Sequence, residues 1–225
     1  MRRVRCGPPR SGRPERSTRV AQAVGDAAEK ARLRARVLAR RRRRSPSSRH
    51  GAETGLTTHL GRLLAETAGP GDVAAFLPLP DEPPLLPALT AAHRAGHRVF
   101  LPVVEPLHQL GWVQWHPDVP LVQGALPGLL EPAGARHGVD AFATVQLLLV
   151  PVVAVDRDGV RLGFGGGYYD RFLPALAESG HRPEILACCF ADEVLPAGTV
   201  PREPHDAVLP GVLTEQGPQR LGYPR

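Results

Sequence analysis

The sequence predicts one α/β domain, Rossmann-like, in which a mostly parallel central sheet is covered by helices on both faces. Apolar runs of strand length alternate with segments of helical periodicity along the chain. The 225 residues include 42% hydrophobic side chains, which is enough to bury one sizeable core. Because parallel strands are joined by crossover helices, this alternation favours a three-layer α/β/α architecture.

Two helices are predicted before the first strand. Residues 20–44 contain no proline and repeat Ala, Leu and Val at helical spacing, and Ser45-Pro46 is interpreted as the stop signal. A second helix is predicted over residues 54–68, closed by Gly69-Pro70.

The remaining elements follow the same alternation. A helix opened by proline is predicted over residues 83–96, and another begins at Tyr168 and runs to residue 177. Residues 106–137 resist assignment and are interpreted as an irregular excursion or a small antiparallel pair. Buried strands are predicted at residues 72–79, 97–104, 145–155, 184–191 and 205–215.

The net charge of +6 is distributed unevenly. Residues 1–50 hold 17 basic and 3 acidic side chains, whereas residues 51–225 hold 11 basic and 19 acidic ones. Residues 1–20, rich in Pro, Gly, Ser and Arg, are expected to be a disordered basic tail, and residues 21–225 the single domain. The run at residues 40–44 is either a solvated helix face or a nonspecific polyanion surface, so no specific nucleic-acid partner is expected.

No feature predicts export or a membrane partner. The longest apolar stretch, residues 145–155, contains Gln146 and Pro151 and is too short to cross a bilayer. Three cysteines are an odd number, and Cys188 and Cys189 are adjacent within an apolar run, which favours reduced thiols. We therefore expect a cytoplasmic protein, and a monomer.

The stretch RLGFGGGYYDRFL, residues 161–173, is the strongest candidate for a binding site. It lacks the Gly-Lys-Ser/Thr of a Walker A loop, and Tyr168 stands where a dinucleotide fingerprint needs glycine. Three consecutive glycines can turn backbone N–H groups toward an anion at the start of a helix, with Arg161 beside them. A glycine-rich turn with its tyrosines in the core is the structural alternative, and these residues alone leave both open.

The longer stretch VPVVAVDRDGVRLGFGGGYYDRFL resembles the signature of the 5-formyltetrahydrofolate cyclo-ligase family. The resemblance extends over residues 28–215, through a Lys30/Arg34 pair, "AFLPLPDE" ending at Glu82, "LPVV", "GLLEP" and His205-Asp206. Val152 and Val155 depart from the family pattern, which usually has glycine and phenylalanine there; repacking is expected.

The resemblance implies a CoA-transferase-like version of the predicted fold and an enzyme, an ATP-dependent carbon-nitrogen ligase. Its activity would be the cyclisation of 5-formyltetrahydrofolate to 5,10-methenyltetrahydrofolate through a phosphorylated formyl intermediate, releasing ADP and phosphate. ATP would be the co-substrate and Mg²⁺ the metal.

The resemblance also implies residue roles. Catalytic roles fall on Lys30, Arg161 and Tyr168, and metal binding on Asp170 and Asp206. ATP contacts fall on Lys30, Arg34, Arg161, Leu162, Gly163, Phe164, Gly165, Gly166, Gly167, Tyr168 and Tyr169. Folate contacts fall on Leu77, Glu82, Phe164, Gly165, Gly166, Gly167 and Tyr168.

Each of these residues also has a structural interpretation. Lys30 and Arg34 could be a solvated helical pair, Glu82 a carboxylate at a helix start, and Asp170 a carboxylate that compensates a helix dipole. His205 and Asp206 could be a loop pair, and Tyr168 and Tyr169 could divide core packing and stacking between them. Two other functions stay open: a sugar-phosphate isomerase or ligand sensor on a similar scaffold, and an RNA-associated protein that uses the basic N-terminal region.

Overall fold

The computed structural model describes residues 16–66, 71–203 and 206–222. Within them lie four α-helices: α1 (Arg16–Arg42), α2 (Pro46–Glu66), α3 (Leu86–Arg94) and α4 (Tyr168–Glu178). The strands are β1 (Asp72–Ala74), β2 (Val99–Glu105), β3 (Gln109–Trp115), β4 (Leu121–Gln123), β5 (Leu130–Pro132), β6 (Arg136–His137), β7 (Val145–Pro151), β8 (Ala154–Asp156), β9 (Arg161–Leu162), β10 (Glu184–Cys188), β11 (Val194–Leu195), β12 (Gly211–Thr214) and β13 (Gly217–Arg220).

The central sheet has the strand order β13-β12-β10-β7-β1-β2-β3-β6. Its five inner strands, β12, β10, β7, β1 and β2, pair in parallel. Strands β3, β6 and β13 add to the edges in antiparallel pairing. The predicted α/β fold with a mostly parallel sheet is confirmed.

Both faces of this sheet are buried. Side chains alternate along β7, so that Leu147 and Leu149 join a cluster with α2 and α3, while Leu148 and Val150 join a second cluster with α4. The first cluster takes Leu56 and Leu60 of α2 and Leu89 of α3. The second takes Phe172 and Leu176 of α4, packed against Trp112 and Phe142. Two layers of helix therefore enclose the sheet.

The predicted strand over residues 145–155 is two strands. The chain leaves the central sheet after Pro151, and β8 pairs with β9 and β11 in a separate three-stranded sheet. A third apolar cluster joins this small sheet to α1 through Leu33 and Val37. Val152 and Val155 are both buried, in agreement with their apolar substitution.

The first two helices differ from the prediction at their ends. Helix α1 begins at Arg16, so residues 16–20 are helical and not part of the expected disordered tail; residues 1–15 lie outside the described chain. Ser45-Pro46 starts α2 and does not merely stop α1, because Ser45 Oγ accepts the Ser48 N–H at 3.2 Å and proline occupies the first helical position. Helix α2 therefore begins eight residues earlier than predicted; its predicted end at residue 68 lies outside the described residues.

Three arginines in the run at residues 40–44 pack the end of α1 against the segment at residues 190–193. Arg41 is fully buried, Arg40 and Arg44 form ion pairs with Asp192, and the Arg44 guanidinium lies 3.8 Å from the centre of the Phe190 ring. Arg42 and Arg43 are exposed and agree with the expectation of a solvated face; Arg40 is also exposed but forms an ion pair.

The unassigned segment after β2 contains regular structure. Strands β4 and β5 form the small antiparallel pair considered above, whereas β3 and β6 extend the central sheet. The last predicted strand is reduced to β12, and its hairpin partner β13 is not predicted.

Cys188 and Cys189 are buried free thiols, as expected, and burial raises the pKa of both. Of the helices in the described ranges, none combines the length and apolar composition that crossing a bilayer requires.

Candidate active site

A cavity of about 400 Å³ lies where the inner strands of the sheet end. Its floor and sides come from the loop after β1, the body of β2, Pro151 at the end of β7, Arg161 and residues 163–170. The hairpin of β4 and β5 closes one side with three leucines, Leu126, Leu129 and Leu130. This position at the carboxyl ends of parallel strands is where α/β proteins bind ligands.

The glycine-rich loop, defined here as residues 163–167 between β9 and α4, forms one wall. Gly165 and Gly167 have φ of 101° and 70°, a left-handed conformation that side chains with a Cβ rarely adopt. Within the described chain, no backbone N–H of the glycine-rich loop donates a hydrogen bond. Unpaired N–H groups ahead of a helix N-terminus are an arrangement that can hold an anion, and anion binding by this loop stays a prediction.

Basic side chains from three elements hold the carbonyls of the glycine-rich loop. Arg34 Nε of α1 donates to Gly163 O at 2.8 Å, and Arg171 Nη1 of α4 donates to Gly167 O at 3.0 Å. His108 Nδ1, at the tip of the β2–β3 hairpin, lies 3.1 Å from Gly166 O. With these carbonyls fixed, the loop is organised before any ligand arrives.

Arg161 lies between the cavity and the chain near Asp206. Its Nη1 donates to Ala207 O at 2.6 Å, and its Nη2 forms an ion pair with Asp170. The arginine is largely buried, whereas the Asp170 side chain is 41% exposed. Both line the cavity.

Lys30 lies at a pair of carboxylates. Its Nζ donates to Asp206 Oδ2 at 2.8 Å and to Glu203 Oε1 at 3.1 Å. Burial opposes the charge on Lys30, but the hydrogen bonds to Asp206 and Glu203 outweigh burial and raise the pKa of the ammonium. Lys30 and Arg34 are therefore not a solvated pair: one faces two acids and the other the glycine-rich loop.

Asp170 and Asp206 are each already paired with a basic side chain. No group of three or more His, Cys, Asp or Glu side chains in the described ranges has the geometry to hold a metal ion. Mg²⁺ in phosphoryl-transfer sites takes one or two carboxylates and completes its shell with phosphate oxygens and water. The two aspartates fit that limited role, and not a metal site made of protein alone.

Glu82 is buried in the wall of the same cavity. Its Oε2 accepts the Leu79 N–H at 2.8 Å. Burial raises the pKa of Glu82 to about 7, against the opposing charge of Arg41. Leu77 lies on the same loop and also lines the cavity. Glu82 therefore faces the ligand space and does not merely start a helix.

The two tyrosines occupy different settings on the cavity wall. The Tyr168 ring lies 5.4 Å from the His108 ring, centre to centre. Tyr169 packs edge-on against Phe172, and its buried hydroxyl has no hydrogen-bond partner in the described structure. Burial raises the pKa of Tyr169, so the hydroxyl stays protonated and available as a donor. Tyr169 also packs against the core cluster that includes Phe172, whereas a stacking role for Tyr168 stays a prediction.

Not every predicted site residue reaches the cavity. Arg161, Gly163 to Gly167, Tyr168, Tyr169, Asp170, Leu77 and Glu82 line it. Lys30, Arg34 and Asp206 lie outside the lining, on the side of Arg161 and the glycine-rich loop. Leu162 packs under α1 with Leu33 and Val37. His205 lies outside the described residues.

A buried ion pair next to the site was not predicted from the sequence. Arg41 donates to both carboxylate oxygens of Glu193, each at 2.8 Å, and both side chains are fully buried. The Arg41 guanidinium also lies 5.9 Å from the Phe164 ring centre. The signal was present in the spacing, because Leu33, Val37 and Arg41 recur every four residues on the buried face of α1.

Comparison with known proteins agrees with this geometry. The sequence profile of the 5-formyltetrahydrofolate cyclo-ligase family matches residues 26–215. The 5-formyltetrahydrofolate cyclo-ligase of Mycolicibacterium smegmatis is 34% identical over 191 residues, which is 82% of this chain and 93% of the relative. The Escherichia coli enzyme of the same name is 34% identical over 166 residues, 72% of this chain and 85% of the relative.

The fold is also similar to solved structures. The Aquifex aeolicus 5,10-methenyltetrahydrofolate synthetase aligns with a TM-score of 0.67 and 28% identity, covering 87% of this chain and 94% of the other. The Mycoplasma pneumoniae synthetase aligns with a TM-score of 0.62 at 18% identity, covering 83% and 98%, and shows the same fold. The match in sequence extends over most of the chain and includes the loop and the acids described above. This protein is therefore a member of the 5-formyltetrahydrofolate cyclo-ligase family.

Proposed function

We propose that this protein converts 5-formyltetrahydrofolate and ATP to 5,10-methenyltetrahydrofolate, ADP and phosphate. The observation that carries the proposal is one cavity lined by two different kinds of polar group. These are the glycine-rich loop with its unpaired N–H groups and the buried carboxylate of Glu82. The first suits phosphate and the second suits the N–H donors of an aminopyrimidine edge.

The reaction requires activation of a poor leaving group. The formyl oxygen attacks the γ-phosphorus, and the bond to the bridging oxygen of ADP breaks. N10 then attacks the activated formyl carbon, loses its proton, and phosphate leaves with the former formyl oxygen. Such phosphoryl transfer asks the protein for positioning and charge neutralisation, with no protein nucleophile.

The charged residues supply that neutralisation. Arg161 lies on the cavity wall, where it can face the transferring phosphoryl group, while Lys30 and Arg34 approach the same region from α1. Asp170 and Asp206 would contribute to holding Mg²⁺, which supplies positive charge to the phosphate oxygens when bound. Engaging the metal requires exchange with their present partners, Arg161 and Lys30.

The apolar part of the cavity suits the middle of a folate. Besides Glu82 and the glycine-rich loop, the cavity lining includes Val103, Val104, Leu110 and the hairpin leucines. An aromatic ring placed there removes apolar surface from water, and each Å² of apolar surface buried stabilises binding by about 25 cal/mol.

We also propose that the enzyme is a monomer. We propose a cytoplasmic location because its two buried thiols suit a reducing compartment.

The methenyl product is expected only when 5-formyltetrahydrofolate, ATP and a divalent cation are all present. Charge on the transferring phosphoryl group must be neutralised in the transition state, so omission of the cation or nucleotide should abolish turnover. The product is followed by its absorbance, with ADP measured in parallel. Product formation without ATP, or ATP hydrolysis without product, would refute the proposed reaction.

Binding of 5-formyltetrahydrofolate is expected to tighten as the pH rises through about 7. The pKa of Glu82 is raised to about 7, so the free enzyme must lose this proton before the carboxylate can accept N–H donors. Dissociation constants measured between about pH 6 and about pH 8 should fall by about tenfold and then level off. Glu82→Gln should remove this dependence and weaken binding; a variant that keeps the same pH profile would show that another group titrates.

A further inference from the structure

The tip of the β2–β3 hairpin has an unfavourable backbone. The strands pair as far as Glu105 and Gln109, which leaves Pro106, Leu107 and His108 as the connection. Leu107 has φ 60° and ψ 28°, and His108 has φ 57°. In the described structure every other residue with a positive φ is glycine. A residue with a Cβ in this region costs about 1–2 kcal/mol.

Burial of the tip does not offset this cost. Leu107 is 81% exposed, and His108 is also exposed. The contacts that remain are those of the imidazole, with Nδ1 at 3.1 Å from Gly166 O and the ring against Tyr168. A carbonyl oxygen can only accept, so Nδ1 carries the proton in this contact. Strain of this kind persists where the surrounding structure fixes it, and it clusters at functional sites.

The contact sets the direction of a loop amide. The peptide group that joins Gly166 to Gly167 is planar and trans, so its N–H points opposite to its C=O. With Gly166 O held by His108, the Gly167 N–H is turned to the other side, at the residue that precedes α4. That N–H is one of the unpaired donors of the glycine-rich loop.

We propose that His108 is a positioning residue for phosphate binding: its Nδ1–H holds Gly166 O and thereby aims the Gly167 N–H at the ligand. The inference rests on the proposed function and assigns a role to a hairpin residue that lies 58 positions before Gly166 in the chain. It also accounts for the left-handed backbone at Leu107 and His108, which brings the imidazole to the loop.

Three variants test this proposal. His108→Gly removes the imidazole and suits the left-handed backbone, so the protein should remain folded. His108→Asn is tolerated in the same region and places an amide N–H donor the same number of bonds from Cα as Nδ1. Leu107→Gly is the matched control, because it relaxes the adjacent left-handed residue and keeps the imidazole.

Calorimetry with inorganic tripolyphosphate gives a readout that needs no turnover. His108→Gly should weaken tripolyphosphate binding about fivefold, the effect of one hydrogen bond, and raise KM for ATP by the same factor with kcat within about twofold. His108→Asn and Leu107→Gly should both stay within about twofold of the parent protein.

Three results would overturn the proposal: unchanged binding in His108→Gly, equal loss in His108→Asn, or a similar loss in Leu107→Gly, which would assign the effect to hairpin shape. Failure of the parent protein to bind tripolyphosphate would also overturn it. Weakened tripolyphosphate binding in His108→Gly, with no methenyl product from the parent protein, would instead support the role of His108 and refute the proposed reaction.

Discussion

Replacing Arg41 by methionine is expected to lower the free energy of unfolding by about 3–5 kcal/mol. The guanidinium is fully buried, and its loss leaves the Glu193 carboxylate without its cation in a site closed to water. Methionine keeps the length and apolar contact of the side chain, so the loss reports charge pairing more than volume. Chemical denaturation at constant pH measures the change.

Two controls define the cause of that loss. Arg42→Met, on the next residue of α1, removes an exposed guanidinium and should change stability by less than about 0.5 kcal/mol. Arg41→Met combined with Glu193→Leu removes both charges and should recover part of the loss. If Arg41→Met alone is as stable as the parent protein, the Arg41–Glu193 pair contributes nothing to the attachment of α1.

The second large effect is expected at Lys30, the only lysine among 28 basic residues. Lys30→Arg should lower kcat/KM for ATP at least tenfold, about 1.4 kcal/mol of transition-state stabilisation, and Lys30→Ala should cost more. A guanidinium is wider than an ammonium and cannot keep both contacts to Asp206 and Glu203 while reaching toward phosphate as a point charge. Steady-state kinetics with varied ATP measures the effect.

Arg36→Ala is the matched control for Lys30. Arg36 lies on the same helix and is exposed, so its removal should leave kcat/KM within about twofold. If Lys30→Arg has the same kcat/KM for ATP as the parent protein, any cation serves at this position and the lysine is an accident of composition. If Lys30→Ala unfolds the protein but Lys30→Arg does not, kcat/KM of the arginine variant alone tests the role of Lys30 toward phosphate.

Local sequence signals were sufficient for the fold class and for the turn of the glycine-rich loop. The alternation of apolar strands and helices predicted the parallel sheet because burial on both faces requires continuous apolar runs such as residues 147–150. The three glycines predicted a left-handed turn because only glycine adopts the backbone found at Gly165 and Gly167 without strain; anion binding there stays a prediction. The residue roles carried over by resemblance remain proposals.

Helix boundaries were less predictable, since the same residues can end one helix or begin the next. Ser45-Pro46 was interpreted as a stop, and the structure uses it as the N-cap and first residue of α2. Strand β13 was not predicted because Gly217 to Arg220 has little apolar content and pairs only at the sheet edge. Edge pairing depends on a partner strand that a local pattern does not specify.

The sequence alone determined how the apolar segments alternate and where a glycine-specific turn precedes a helix, because both follow from chemistry within a few neighbouring residues. Tertiary structure decided which charges meet. It sends Arg41 inward to Glu193, Lys30 to Asp206, and His108 to Gly166 across 58 residues. Arginines in one run have identical chemistry, so only the packing of α1 against the small sheet separates the buried one from its exposed neighbours.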